Sequence, residues 1–244
     1  MSLGVYAVIP AAGVSSRMGN LCADGSKIFL PLADGSSVLA QTIRSLLIAV
    51  QCDGIVISVR DNELSTVESL LEPLRVKWEP QGTWLKAVSG GATRQESVMR
   101  AIDAVPEDAE LIIIHDGARP LCPVECIQAV VQKGREVGSA ILAVPIKPTL
   151  KRVVQGEETI AATVPRSEIW GAQTPQVFHY DIIVAAIEKA NADGFVGTDD
   201  SQLVEHLGKS VAVVPGSDHN IKITTPEDLA IAQGIFALGN DRER

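Results

Sequence analysis

Two periods of apolar residues take turns along this chain. "GVYAVI" (4–9), "GIVISV" (54–59), "AELIII" (109–114) and "GSAILAVP" (138–145) are short, nearly unbroken apolar runs. That is the pattern of strands covered on both faces. Between them, "SVLAQTIRSLLIAV" (37–50), "ELSTVESLLEPL" (63–74), "GGATRQESVMRAIDAV" (90–105) and "PVECIQAVVQKGREV" (123–137) repeat apolar residues at helical spacing. The short "VKWEP" (76–80) precedes the glycine pair, and Pro123 opens its helix where proline is tolerated. The β-α-β-α order predicts an α/β fold with a doubly wound, mostly parallel sheet and right-handed crossovers.

The rhythm breaks after residue 145. "IKPTLKRVVQGEETIAATVPRSEIW" has short β-branched runs around "QGEE", which predicts a β-hairpin or arm at about 146–168. Helical patterns return at "HYDIIVAAIEKANAD" and "DDSQLVEHLG"; "SVAVVPG" and "NIKITT" read as late strands. "PEDLAIAQGIFAL" is a closing helix with Pro226 at its start and acids in its first turn. No repeat, low-complexity segment or linker appears, so residues 1–244 read as one domain with an inserted β-arm. A lone hairpin is marginally stable, so an arm that leaves the body predicts packing on a second subunit.

Composition narrows the picture. Aromatics are only 4% against 46% hydrophobic residues, so Val, Ile, Leu and Ala must build the core. The formal charge of −9 argues against non-specific nucleic-acid binding, yet leaves room for a local basic pocket. No apolar run approaches the ~20 residues of a membrane span, and no signal peptide is expected. Cys22, Cys52, Cys122 and Cys126 match no zinc spacing and no disulfide framework. They read as thiols in a reducing cytoplasm.

In an open α/β sheet, ligands bind beyond the carboxyl ends of the strands, so the loops after strands are where chemistry is sought. "PAAGVSSRMG" follows the first strand. It is neither the dinucleotide fingerprint, which disfavours an NAD enzyme, nor the phosphate-binding G-x-x-x-x-G-K-[ST] loop. Ala11, Ala12 and Gly13 still let a ligand reach the backbone, and Arg17 adds a fork of donors suited to phosphate. Lys27 lies within reach if the loop folds back; both cations otherwise read as solvated charges. "GGATRQESV" offers paired glycines with Arg94 and Ser97, or an ordinary turn capped by Thr93. "IIIHDGARP" places Asp116 at a strand tip, either as a Mg²⁺ ligand or as an acceptor for loop amides. His115 reads as a packed strand-end residue. Thr149, Lys151, Arg166, Thr174, Thr198, Asp199, Lys222 and Thr224 follow as scattered cations, hydroxyls and caps suited to a second anionic ligand.

These loops in this order resemble the 2-C-methyl-D-erythritol 4-phosphate cytidylyltransferase family of the non-mevalonate isoprenoid route. "PAAGVSSRM", "GGATRQESV", "HDGARP", "PIKPTLKRV", "TVPRSEIWGAQTPQVF", "TDDSQLVE" and "NIKITTPEDL" carry the resemblance over nearly the whole chain. It implies a Rossmann-like nucleotidyltransferase fold, CTP and a polyol phosphate as substrates, Mg²⁺, and a homodimer exchanging the β-arm. It implies that Pro10, Ala11, Ala12 and Gly13 meet the nucleotide through the backbone, that Gly91, Arg94 and Ser97 hold it, and that Asp116 carries the metal. It gives Arg17, Lys27, Arg166 and Lys222 catalytic roles, Lys222 touching nucleotide as well. Arg119, Thr149, Lys151, Arg166, Thr174, Thr198 and Asp199 fall to the acceptor. Ser15 stands where the family often has a second glycine, and "SK" stands where "PK" is common. A ribitol 5-phosphate cytidylyltransferase and a non-catalytic nucleotide-binding protein of the same fold are the alternatives.

Overall fold

A computed structural model of the chain describes residues 4–22, 26–154 and 156–240. Residues 23–25 of the loop leading to Lys27, residue 155 of the hairpin turn and the ends of the 1–244 span lie outside them. The elements run β1 (Gly4–Pro10), α1 (Val38–Ala49), β2 (Gly54–Val59), α2 (Leu64–Trp78), β3 (Trp84–Ser89), α3 (Arg94–Ile102), β4 (Ala109–Ile114), α4 (Val124–Val137), β5 (Ser139–Pro145), β6 (Leu150–Val153), β7 (Ile160–Val164), β8 (Trp170–His179), α5 (Tyr180–Asp193), α6 (Asp200–His206), β9 (Ala212–Pro215) and α7 (Pro226–Asn240). Seven strands form one sheet in the order β3-β2-β1-β4-β8-β5-β9. Every pairing is parallel except those of β8 with β4 and β5.

Alternation within each strand sorts side chains to two faces. Ala7, Ile9, Ile55, Ile57, Leu111 and Ile113 pack on one side against α1, α2 and α4. Tyr6, Val8, Val56, Ile112 and Ile114 pack on the other against α3, α5 and α6. Both faces are thus covered, which is why these strands read as continuous apolar runs. A third, smaller cluster joins Met18, Leu32, Val38, Ile223, Leu229 and Ala232. It ties the loop after β1 to the segment entering α7.

One expected strand is absent, and two stretches given no element of their own acquire one. The first three residues of "VKWEP" extend α2 to Trp78, and an edge strand, β3, then precedes the glycine pair. "NIKITT" is not a strand. Its neighbour is the loop after β4, to which Ile223 gives one amide bond, to the Ala118 carbonyl at 2.8 Å; no ladder can grow there. The stretch "WGAQTPQVFH" is β8, the antiparallel strand between β4 and β5. A central strand resists proline because proline cannot donate to the ladder. Here the register on β5 jumps from Ile141–Gln176 to Leu142–Gln173, so Thr174 and Pro175 bulge out of the pairing.

β6 and β7 pair antiparallel in a sheet of their own, away from the seven-stranded one. Among the described residues, no helix is long and apolar enough to cross a membrane.

Candidate active site

The carboxyl ends of β1 and β4 and the loop after β3 open on one cleft. Its lining includes Pro10 to Val14, Arg17, Lys27, Gly91 to Arg94, Ser97, Asp116 to Ala118 and Lys222. Eleven residues singled out in the sequence for the nucleotide and the catalytic cations therefore meet: Pro10, Ala11, Ala12, Gly13, Arg17, Lys27, Gly91, Arg94, Ser97, Asp116 and Lys222.

Three of the cations sit beside a buried apolar anchor. Met18, 1% exposed, follows Arg17; Ile28, 2% exposed, follows Lys27; Ile223, fully buried, follows Lys222. Burial of such side chains stabilises by about 1.5–3 kcal/mol each. Long, flexible cations are thereby tethered at the backbone while their heads reach the cleft. Ser15 adds a further tether, its Oγ accepting from the Lys27 amide at 3.0 Å.

The two glycine-bearing loops touch. A Cβ on Gly90 would lie 2.5 Å from the Ala12 Cβ, and one on Gly91 would lie 2.2 Å from the Glu96 Cβ. Real side chains do not approach that closely, so only glycine lets these backbones meet. Ser97 Oγ accepts from the Gly91 amide at 3.1 Å and donates to the Thr93 carbonyl at 2.8 Å. Thr93 caps α3 by accepting from the Glu96 amide.

Asp116 is the charged centre of the cleft. Lys222 Nζ lies 2.9 Å from its Oδ2, Arg119 Nε 3.4 Å from Oδ2, and Arg94 Nε 3.2 Å from Oδ1. Burial works to raise its pKa and is outweighed: Arg94, Lys222 and Arg119 hold the carboxyl well below the usual carboxylate range. Lys27 shifts the other way. Burial, then the charges of Lys222 and Arg17, lower its ammonium pKa. Five cations thus surround two carboxylates, Asp116 and Asp200, in a chain whose overall charge is −9.

His115 is fully buried, and burial pushes it down to about 4, so its ring is neutral near pH 7. Nε2–H donates to the Arg119 carbonyl at 3.2 Å, and Nδ1 accepts from the Thr174 hydroxyl at 2.9 Å. The same hydroxyl oxygen accepts from the Asp116 amide at 3.0 Å. With both ring nitrogens engaged, His115 orients the Asp116 turn and leaves no lone pair for base catalysis.

Of the residues assigned to the acceptor, Arg119 and Thr174 contact Asp116, and the others do not line the cleft. Thr149 precedes β6, Lys151 within it donates to Thr163 Oγ1 at 2.7 Å, and Arg166 donates to the Lys147 carbonyl; all three are exposed on or beside the hairpin. Thr198 is held by Gln202, and Asp199 caps α6 by accepting from the Gln202 amide. Arg119 is buried, its Nη1 donating to the Asn220 carbonyl at 2.6 Å. The sequence reading did not single out Asp200, Gln176 or Asn220. Asp200 Oδ2 accepts from Arg94 Nη2 at 2.7 Å, Gln176 ties β8 to α6, and Asn220 Nδ2 donates to the Thr174 carbonyl at 2.8 Å. A second acid beside Asp199 in "TDDSQ" was the available signal for Asp200.

Among the described residues, no three or more His, Cys, Asp or Glu side chains gather at one point. Mg²⁺ ordinarily takes one or two carboxylates, with phosphates and water supplying the rest. A single Asp116 fits an ion that arrives on a polyphosphate and does not fit one caged by protein alone.

Exposed loop backbone and converging cations are what a polyphosphate needs. The cleft at the carboxyl ends of this sheet marks a nucleotidyltransferase of the α/β class. Comparison with known proteins narrows the class: the family model described as 2-C-methyl-D-erythritol 4-phosphate cytidylyltransferase matches residues 5–238, and the chain belongs to that family. The enzyme of that name from Bacillus licheniformis is 42% identical over 229 residues, 94% of each chain. The one from Desulforamulus reducens is 42% identical over 97% of each. The crystal structure of 4-diphosphocytidyl-2C-methyl-D-erythritol synthase from Anaerococcus prevotii superposes with a TM-score of 0.80 at 29% identity, covering 96% of this chain and 99% of its own.

Proposed function

We propose that this protein transfers the cytidylyl group of CTP to 2-C-methyl-D-erythritol 4-phosphate and releases pyrophosphate. The observation that carries the reading is the meeting of Arg17, Lys27, Arg94, Lys222 and Asp116 on glycine-bearing loops, in a chain of this family.

The chemistry asks little beyond charge and position. A phosphate monoester with a second pKa of about 6 is mostly dianionic near neutrality, so its oxygen attacks the α-phosphorus without a general base. A new P–O bond forms, the bond to the bridging oxygen of the β-phosphate breaks, and its electrons leave with pyrophosphate. The obstacle is repulsion between two anions. Arg17 and Lys27 offset it from the loop after β1, and the backbone from Pro10 to Gly13 lies along the nucleotide. Gly91, Arg94 and Ser97 hold the nucleoside end. Mg²⁺, when bound, neutralises phosphate charge, with Asp116 as its protein ligand. Preorganised positive groups of this kind supply most of the acceleration in phosphoryl transfer.

Thr149, Lys151 and Arg166 lie on or beside the hairpin, outside their own chain's cleft. Val153, Ile160 and Trp170 there are 51%, 61% and 42% exposed. We infer that this arm packs on a second copy and that Arg166 serves the partner's acceptor site, with Thr174, Thr198, Asp199 and Arg119 completing it. The four free cysteines suit work in a reducing compartment such as the cytoplasm.

Pyrophosphate release tests the reading. Each of the four nucleoside triphosphates, with Mg²⁺, is paired with methylerythritol phosphate or ribitol 5-phosphate. Release is expected with CTP and methylerythritol phosphate. Release confined to ribitol 5-phosphate would reassign the acceptor, and none at all would leave a nucleotide-binding protein.

A further inference from the structure

We infer that Asp200 is a positioning residue for the nucleotide site, acting through Arg94. It fixes one edge of the guanidinium so that the rest faces the cleft. The inference rests on the cleft being the CTP site.

Arg94 has five N–H donors in a rigid plane. One, on Nε, goes to Asp116 Oδ1 at 3.2 Å; one, on Nη2, goes to Asp200 Oδ2 at 2.7 Å. Nη1 makes no hydrogen bond among the described residues, and the side chain is 30% exposed on the cleft wall. Asp116 Oδ2 already receives Lys222 and Arg119, so without Asp200 the guanidinium would hang on the single Nε bond and its plane would be free to turn. Asp200 takes Nη2, at the shorter distance, and the plane is held between two acids.

Asp200 is itself fixed. It opens α6, and its side chain is 1% exposed. Gln176 of β8 donates to Asp199 Oδ2 at 2.8 Å and accepts from the Ser201 amide at 2.9 Å, one residue to either side. Leu203 and Val204 of α6 are buried against the sheet. Among the described residues, the one side-chain hydrogen bond of Asp200 is to Arg94, 106 positions away in sequence. Its carboxylate makes no capping bond to α6, which Asp199 provides. Its consequences therefore pass through Arg94.

The test is a double-mutant cycle read by calorimetric CTP binding without acceptor, together with KM for each substrate. Asp200→Asn is expected to weaken CTP binding about tenfold, the equivalent of one impaired charged hydrogen bond. The acceptor KM should stay within about twofold. In an Arg94→Met background, where there is no guanidinium to orient, the same change should alter CTP binding less than about twofold. Arg94→Met alone leaves a buried, unpaired carboxylate; if it does not fold, Arg94→Lys, which keeps the charge but not the planar fork, takes its place with the same expectation. Equal weakening in both backgrounds, or none in the parent, overturns the inference and leaves the CTP site standing. A parent protein that binds no CTP overturns the site reading and this inference together.

Discussion

One buried imidazole should make this protein sensitive to acid. His115 is sealed between Thr174 and the Arg119 carbonyl, with Asp116 and the Arg119 side chain as its nearest charges. Protonating it would set an N–H against the Thr174 hydroxyl, force that hydroxyl to turn its hydrogen away from Nδ1 and place a charge in a fully buried site. The folded imidazole is pushed down to about 4, whereas an unfolded one titrates near 6.5. Between these values the unfolded chain binds the proton and the folded chain does not. Stability intact above about pH 6.5 is therefore lost as the pH falls toward 4. Integrating that difference gives about 2 kcal/mol between about pH 6.5 and about pH 4.5. Urea unfolding at a series of pH values measures it by linear extrapolation. Other groups titrate as well, so the comparison is with His115→Gln, which carries no titrating group at this position in either state. The variant should be less stable at neutral pH, and its deficit should shrink by about 2 kcal/mol across that range. Parallel stability profiles for the two proteins would refute the reasoning.

Lys27→Ala and Arg17→Ala should each lower kcat by roughly 10²–10³ with little change in melting temperature, because Met18 and Ile28, not the cations, anchor the loops; near-normal turnover in steady-state assays would show that the charge is merely solvated. Gly90→Ala should raise the KM for CTP more than the acceptor KM and cost about 1–3 kcal/mol in overpacking, since its Cβ meets Ala12 at 2.5 Å; Ala12→Gly in the same chain should restore nucleotide binding, and failure to do so would sink the contact argument. Ser15→Ala removes the acceptor of the Lys27 amide, a loss of about 1 kcal/mol or about fivefold in kcat, and an unchanged kcat would show that Lys27 needs no such tether.

Local pattern alone was enough for most of this molecule. Strands such as "GIVISV" and helices such as "PVECIQAVVQKGREV" carry their periods within a dozen residues, and their order dictates a doubly wound sheet. Short-range signals also marked the cleft: small residues after β1, a glycine pair before α3, an aspartate at a strand tip. What escaped depends on partners distant in sequence. β8 holds a proline and three polar residues in its middle and is a strand only because β4 and β5 flank it and a bulge absorbs Thr174 and Pro175. "NIKITT" alternates like a strand, yet its neighbour is a loop. Asp200 looks like a second capping residue until folding brings it to Arg94. Residue order settles which chemical groups are present and on which elements they ride. Which of them pair was left to the fold, because ion pairing and burial depend on separations that the folded chain alone establishes.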